Sequence, residues 1–295
     1  MTNFTLKQLR YFEALAQQGH FGRAAEVCSI SQPALSVQIK ELEESLGKSL
    51  FERTPRRVRL TAFGEDFADR ARQILRSVDE IGDMARAAQK TMMRKIRIGV
   101  IPTIAPYLLP ALIKNLTEEY PHIDVHIRET ITPKLLEELD EGILDTAILA
   151  LPLNEPSLEE TELFVENLVL VRPISEKGTE VPTQDNLRNM RLLMLEEGHC
   201  FRDHALSFCN LQPNRRKEGL DGTSLSTLVQ MVGSGIGVTL IPEMAIEVEM
   251  KSARVTVDRF PEPQPNRKVG MVWRKTNPLA DQLKGIADIV RNVGR

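Results

Sequence analysis

Cysteine is scarce, with three residues in 295, and an odd number cannot all pair within one chain. That argues against a scaffold held together by disulfides. Long apolar runs are missing too, so no segment reaches the ~20 residues that cross a bilayer as a helix. The N-terminus, Met1-Thr2-Asn3-Phe4, lacks the basic and apolar regions of a secretion signal. Together these absences predict a cytoplasmic chain without membrane contact, in a compartment that keeps thiols reduced. Low-complexity tracts are absent, and 42% hydrophobic with 27% charged residues describes ordinary globular domains rather than a disordered chain. At 295 residues the chain exceeds one typical core, so two or three domains are expected.

Strong net charge is absent as well, the total being −3. The balance conceals an asymmetry. Residues 1–60 carry nine Lys and Arg against six acids, leaving +3 there and −6 on the remainder. A basic head on an acidic body points to a polyanion as the head's partner. Leu6, Leu9, Phe12, Leu15 and Ala16 recur at helical spacing behind Thr5, a suitable N-cap, and Gly19-His20 breaks the pattern. A short helix follows with Ala24, Ala25 and Val27 inward. Ser31 then caps a second helix, with Pro33 in its first turn, that runs through Ile39 and Leu42 to Leu46 and stops at Gly47. Two short helices around a tight connection predict a helix-turn-helix whose second helix enters the major groove by its N-terminus. Gln32, Ser36, Gln38 and Lys40 face outward there, suited to base edges and phosphates. Arg53, Arg56, Arg57 and Arg59 surround Pro55 between apolar anchors, as a β-wing along phosphates would.

Phe21-x-Arg23-Ala24-Ala25-Glu26, Ser31-Gln32-Pro33-Ala34-Leu35-Ser36, Ile39-x-x-Leu42-Glu43-x-x-Leu46-Gly47, Leu50-Phe51-Glu52-Arg53 and Leu60-Thr61-x-x-Gly64 follow in this order. In that order they resemble the LysR-type bacterial transcriptional regulators. The resemblance implies a DNA-binding regulator rather than an enzyme, with promoter DNA and RNA polymerase as partners. The residues expected to contact DNA are then Arg23, Ser31, Gln32, Pro33, Ser36, Gln38, Lys40, Arg53, Arg56 and Arg57.

Residues 61–90 read as one long helix. Phe67, Ala71, Ile74, Val78, Ile81, Ala85 and Ala88 alternate in steps of four and three, a heptad seam of the kind that pairs with a copy of itself. In LysR-type proteins this element is the dimerising linker. Met92-Met93-Arg94-Lys95 is the expected hinge into the next domain.

In the body, Ile96–Ile101, Ile123–Ile127 and Asp145–Ala150 read as strands separated by helices over Tyr107–Leu116 and Leu135–Leu139. That alternation predicts an open, mostly parallel sheet. Leu168–Val171, Arg191–Leu195 and Val238–Ile241 supply a second sheet, and Val269–Trp273 returns to the first. A chain that leaves one α/β lobe and comes back makes a cleft at strand ends, where such folds bind ligands. Gly233, Gly235 and Gly237 lead into a strand, not a helix, which argues against a dinucleotide loop. The fold class expected is an N-terminal all-α winged helix-turn-helix (1–60) plus long linker helix (61–90). A C-terminal α/β two-lobed effector domain (95–295) resembling periplasmic binding proteins follows. Lobe I takes about 95–165 and 268–295, and lobe II about 166–267.

The chemistry concentrates in Glu196-Glu197-Gly198-His199-Cys200-Phe201-Arg202-Asp203-His204-Ala205-Leu206-Ser207-Phe208-Cys209, with two of the three cysteines and two of five histidines. Free cysteine is most often a small buried hydrophobe, and Cys209 beside Phe208 and Leu206 fits that. Cys200 does not: it precedes Arg202 at the start of a helical pattern, a setting that favours the thiolate. His199, Cys200, His204 and Cys209 are metal-ligand types, but their spacing is not a usual zinc pattern and one helix splays them; no metal or cofactor is expected. A redox pair is the third reading. Nine helical steps at about 1.5 Å separate the α-carbons by roughly 13 Å, whereas a disulfide needs about 4.4–6.8 Å. Bonding would require local refolding, turning chemistry into conformational change. Cys28, in the head, is expected to pack between helices without a redox role.

Leu193-Met194-Leu195-Glu196-x-Gly198-His199-Cys200-x-Arg202-Asp203-x-Ala205-x-x-Phe208-Cys209 and Ile101-Pro102-Thr103-x-x-Pro106-Tyr107-Leu108-Leu109-Pro110 resemble the hydrogen-peroxide-sensing members of the LysR-type family. By that resemblance Cys200 is the peroxidatic and Cys209 the resolving cysteine of a reversible disulfide. Thr103, Thr132 and His199 bind peroxide, and Arg202 and Asp203 shape the pocket. Thr103 has a second reading as the cap of the helix after it. The resemblance also implies a homotetrameric dimer of dimers, controlling oxidative-stress genes and reset by glutaredoxin- or thioredoxin-type reductants. Regulators of the same class that bind a small inducer in the cleft, or a metal, and a thiol oxidoreductase are the alternatives. An oxidoreductase would more usually carry Cys-x-x-Cys.

Overall fold

The computed structural model describes residues 4–53, 58–88, 95–208, 221–251 and 253–294, with backbone alone at 53, 79–80, 83–88 and 184–185. Cys209, Arg56 and Arg57 lie outside the described residues, and the side chains of Arg53 and Ala85 do as well. The chain divides into two compact units, Met1–Lys90 and Thr91–Arg295.

In the first unit α1 (Leu6–Gln18), α2 (Phe21–Val27) and α3 (Gln32–Leu46) precede a hairpin of β1 (Phe51–Arg53) and β2 (Val58–Leu60), then α4 (Ala62–Ala88). Each boundary follows from a local residue. Thr5 and Gln8 form a reciprocal capping box on α1, and Gly19 ends it in the left-handed region. His20 caps α2 through its imidazole, and Ser31 caps α3, which Gly47 closes at φ +66°. Leu9, Phe12, Leu15, Leu35, Ile39 and Leu42 fill the core.

The start of α4 packs on that same core. The Phe67 ring stands 5.0 Å from Phe12, edge-on, and Ala71 is buried on the same cluster. Phe67 is half-buried there and Ala71 is buried. The first two turns of α4 close the head because β2 delivers them directly onto α1. Ile74 is 42% and Ile81 65% exposed, so the unpartnered part of the stripe begins at Ile74, with Val78 half-buried between them.

The second unit opens with β3 (Lys95–Val100), α5 (Ala105–Glu119), β4 (Asp124–Glu129), α6 (Thr132–Asp140) and β5 (Thr146–Leu151). Next come β6 (Leu158–Pro173), α7 (Gln184–Leu187), β7 (Leu192–Leu195), α8 (Cys200–Phe208) and β8 (Asp221–Gly222). The rest is α9 (Leu225–Gly233), β9 (Val238–Pro242), α10 (Ile246–Glu249), β10 (Val255–Asp258), β11 (Asn266–Arg274) and α11 (Ala280–Val293).

The sheet is mixed rather than mostly parallel. β4, β3 and β5 run parallel, but β11 returns antiparallel to β5 and to β6, and β6 runs antiparallel to β9 and β10. Two separate sheets were expected; instead β6 threads both lobes and joins nine strands into one sheet. Residues 158–167 of β6 pair with β11 in lobe I, and residues 168–173 pair with β9 and β10 in lobe II. The first half mixes acids with apolar residues and is partly solvated; the second is apolar and buried through Arg172. Each lobe has its own apolar core. The lobes therefore share a strand while packing separately.

Candidate functional site

The stretch from Gly198 to Phe208 lies where the lobes meet. β7 ends at Leu195, and Gly198 turns the chain at φ +93°, a conformation that favours glycine. Cys200 is the first residue of α8, two residues earlier than the sequence pattern placed the helix start. Its half-buried side chain packs against the core of lobe I, whereas Phe201, Ala205 and Leu206 of the same helix belong to the core of lobe II. The helix therefore straddles the cleft.

Around Cys200 is a narrow, tightly lined recess. Three short segments line it: Ile101, Pro102 and Thr103 after β3, Ile131 and Thr132 at the start of α6, and His199 to Phe201. Four of the residues singled out from sequence, Thr103, Thr132, His199 and Cys200, thus come together across 97 positions of chain. The Thr132 hydroxyl is buried and, among the described residues, has no hydrogen-bond partner. A buried hydroxyl without a partner is costly and suits a small polar ligand.

Arg202 and Asp203 are not part of the recess. The Arg202 guanidinium donates to the Leu195 carbonyl at 2.8 Å and to Asp221 at 2.9 Å, on the lobe II side of α8. Asp203 is exposed in the first turn of the helix. The reason is angular: residues two apart on a helix point to different faces, so Arg202 cannot share the outlook of Cys200. Arg202 instead ties α8 to the ends of β7 and β8. The capping role weighed for Thr103 also gives way. No side chain caps α5, and the Thr103 hydroxyl accepts a bond from Arg267.

Arg267, on β11, went unnoticed in the sequence. Its guanidinium is fully buried and donates at 2.7 Å to the Thr103 hydroxyl, at 3.0 Å to the Thr103 carbonyl and at 2.8 Å to Glu166. Its charged centre lies 5.3 Å from the Phe201 ring. Glu166, on β6 at the crossing between lobes, also accepts from the Met244 backbone N–H. One buried cation thus contacts lobe I, the shared strand and α8. No local signal marks Arg267, since its partners lie 101 and 164 positions away.

The two histidines are held toward the neutral form. Burial lowers the pKa of His199, opposed by Glu196. Burial lowers that of His204 as well, with Arg267 acting in the same direction, against the bond to Cys200 and the Asp203 charge. The Cys200 carbonyl can only accept, so His204 Nδ1, 2.8 Å away, carries the proton there. Among the described residues no three His, Cys, Asp or Glu side chains converge as a metal site would require.

The residues expected to contact DNA differ in exposure. Gln32, Pro33 and Lys40 are exposed on α3. Ser36 and Gln38 are only half-buried, and Gln38 donates to Glu41 at 2.8 Å. Ser31 is exposed, and its hydroxyl accepts from the Ala34 N–H. Arg23 is exposed on α2. No helix among the described residues is long and apolar enough to cross a membrane.

Two family models match: "Bacterial regulatory helix-turn-helix protein, lysR family" over residues 6–65, and "LysR substrate binding domain" over 89–295. A probable hydrogen peroxide-inducible genes activator of Streptomyces viridosporus is 40% identical over 301 residues, covering 99% of this chain and 95% of that protein. The DNA-binding transcriptional dual regulator OxyR of Escherichia coli K12 is 40% identical over 290 residues, covering 97% and 94%. Among solved structures, a full-length OxyR cysteine-to-aspartate variant from Pseudomonas aeruginosa superposes with a TM-score of 0.75 at 36% identity, covering 98% of both chains. A hydrogen-peroxide-bound OxyR cysteine-to-serine variant from Corynebacterium glutamicum gives 0.68 at 33% identity, covering 99% of this chain and 93% of that one.

Proposed function

Because the chain belongs to the LysR family of DNA-binding bacterial transcriptional regulators, we propose that it senses hydrogen peroxide through a reversible Cys200–Cys209 disulfide and controls oxidative-stress genes. The observation that carries the reading is the recess itself. A cysteine at a helix N-terminus faces two threonines and a histidine, and one of those hydroxyls is buried without a partner. Peroxide has two oxygens that both donate and accept, which matches such a lining. The Cys200 thiolate attacks one oxygen; the S–O bond forms as the O–O bond breaks, and the departing hydroxide takes a proton and leaves as water. Sulfur loses two electrons and becomes the sulfenic acid. The Cys209 thiol then displaces its hydroxyl as a second water, closing the disulfide.

Helix geometry couples this step to movement. The last residue of α8 is Phe208, eight steps from Cys200, or roughly 12 Å at the α-helical rise. One further residue spans only about 3.8 Å between α-carbons. With α8 intact, Cys209 therefore stays at least about 8 Å from Cys200, beyond the ~6.8 Å reach of a disulfide. Closing the bond must unwind part of α8. Phe201 beside Arg267 and Arg202 on Asp221 hold the start of the helix to the core and to β8. The exposed stripe of α4 pairs two chains and two such pairs make the tetramer, so that a change in the sensing units resets how the heads lie on promoter DNA and meet RNA polymerase. Cytoplasmic glutaredoxin- or thioredoxin-type dithiols reverse the switch.

The test is one equivalent of hydrogen peroxide added to the reduced full-length protein, followed by disulfide mapping and DNA footprinting. A Cys200–Cys209 bond with a shifted footprint is expected. No such bond and an unchanged footprint would overturn the reading.

A further inference from the structure

The rim of the Cys200 recess has one feature the peroxide chemistry does not use. Its floor is deeply buried: Ile101 is 2%, Thr103 2% and Phe201 3% exposed. Its rim is half-buried and consists of Pro102, Ile131, Thr132, His199 and Cys200. Of these, Ile131 is the bulky, rotatable apolar residue. It stands just before α6 in lobe I and reaches across to the turn that precedes Cys200 in lobe II. A Cβ at Gly198 would lie only 2.9 Å from Ile131 Cδ1, closer than real side chains approach. The isoleucine therefore rests on the bare Gly198 backbone and lines the recess beside the thiol.

We propose that Ile131, seated on Gly198, is a size gate that restricts Cys200 to hydrogen peroxide and excludes alkyl hydroperoxides. The inference rests on the peroxide-sensing reading and specifies its substrate. The reactive unit is the same in both substrates. The thiolate takes the terminal oxygen of R–O–OH, the O–O bond breaks, and RO⁻ leaves and is protonated to ROH, with sulfur oxidised by two electrons to the sulfenic acid. Hydrogen peroxide has R = H and needs little more room beside the thiol than a water molecule does. The tert-butyl analogue carries four carbons that must occupy the volume of the Ile131 side chain. Hydrophobic pockets discriminate a single methylene by roughly 10–200-fold, so removing three carbons from the rim is a large change.

The experiment measures sulfenic acid formed at Cys200 of the full-length reduced protein, trapped and mapped by peptide, with hydrogen peroxide and with tert-butyl hydroperoxide. The wild-type protein reacts at least about tenfold faster with hydrogen peroxide. Ile131→Ala narrows that ratio roughly tenfold, and Ile131→Val narrows it less, a graded series that holds if the alanine variant folds poorly. Leu228→Ala, which loosens the packing behind α8 without touching the rim, keeps the wild-type ratio. An unchanged ratio in both Ile131 variants, or equal narrowing in Leu228→Ala, overturns the gate. Wild-type protein that reacts equally with both peroxides also overturns it, while inertness of Cys200 to both sinks the sensing reading and the gate with it.

Discussion

Arg267 donates to the Thr103 hydroxyl at 2.7 Å from a site with no solvent exposure, and its second carboxylate-facing edge holds Glu166. The cation is there only because Glu166 neutralises it, so removing it strands a buried carboxylate. Arg267→Met is expected to destabilise the effector unit by about 3–5 kcal/mol in urea unfolding. Arg267→Met combined with Glu166→Met should recover part of that loss, because neither charge then remains uncompensated. A double variant less stable than Arg267→Met alone would show that the pair is not the source of the cost.

A second tie joins the lobes without passing through the recess. Tyr107 on α5 donates to Glu249 at 2.7 Å, and Ser226 on α9 donates to the same carboxylate oxygen at 2.9 Å. Burial and the Glu249 carboxylate push the Tyr107 phenol far above its ordinary pKa, so it stays a donor throughout the physiological range. Tyr107→Phe should cost about 0.5–1.5 kcal/mol. Glu249→Ala should cost about 1–3 kcal/mol because the half-buried Tyr107 hydroxyl loses its acceptor, whereas exposed Ser226 can turn to water. In a double-mutant cycle the two effects should fall short of additivity; strict additivity would mean that the hydroxyl and carboxylate do not act on each other.

What was legible in the sequence was what is local. Thr5, Ser31, Gly19 and Gly47 mark helix ends through bonds to residues three or four away, and they stand where the pattern put them. The gathering of Thr103, Thr132, His199 and Cys200 was legible only through family resemblance, since no periodicity relates three separate loops. Arg202, assigned to the pocket by resemblance, lies outside the lining because a helix turns residues two apart to different faces. Arg267 and Glu166 were invisible for the opposite reason: their encounter is fixed by the antiparallel return of β11 along β6. β6 itself was half-read, because its solvated and buried halves carry different patterns and resemble two elements.

The histidines beside the thiol make stability depend on pH. Their folded pKa values lie below the ordinary value of about 6.5. The unfolded chain therefore binds these protons first as pH falls, and the folded state loses ground. Their stabilising share is complete above about pH 6.5 and declines as pH drops from there toward the folded values. His204→Gln keeps a donor for the Cys200 carbonyl but cannot titrate. The stability difference between wild type and this variant should shift against the wild type between about pH 7.5 and pH 5.5 in urea unfolding. A difference that stays flat across that window rules the titration out.

The exposed part of α4 gives the sharpest test of assembly. Phe67 and Ala71 are committed to the head's own core, so substituting them would confuse loss of folding with loss of pairing. Ile81 is 65% exposed and contributes nothing to that core. Ile81 stands one heptad beyond exposed Ile74, so in the proposed pairing both would face the partner helix. Ile81→Asp places an unpaired charge in that seam. Self-association should weaken at least about tenfold, equivalent to about 1.4 kcal/mol, in sedimentation equilibrium. The unfolding midpoint of the head should stay as in the wild type. The footprint should shrink with the loss of two-fold pairing, because one head alone contacts one half-site. If Ile81→Asp assembles as tightly as the wild type, the chains do not pair through this stripe, and the geometry that links Cys200 to DNA must run through another surface.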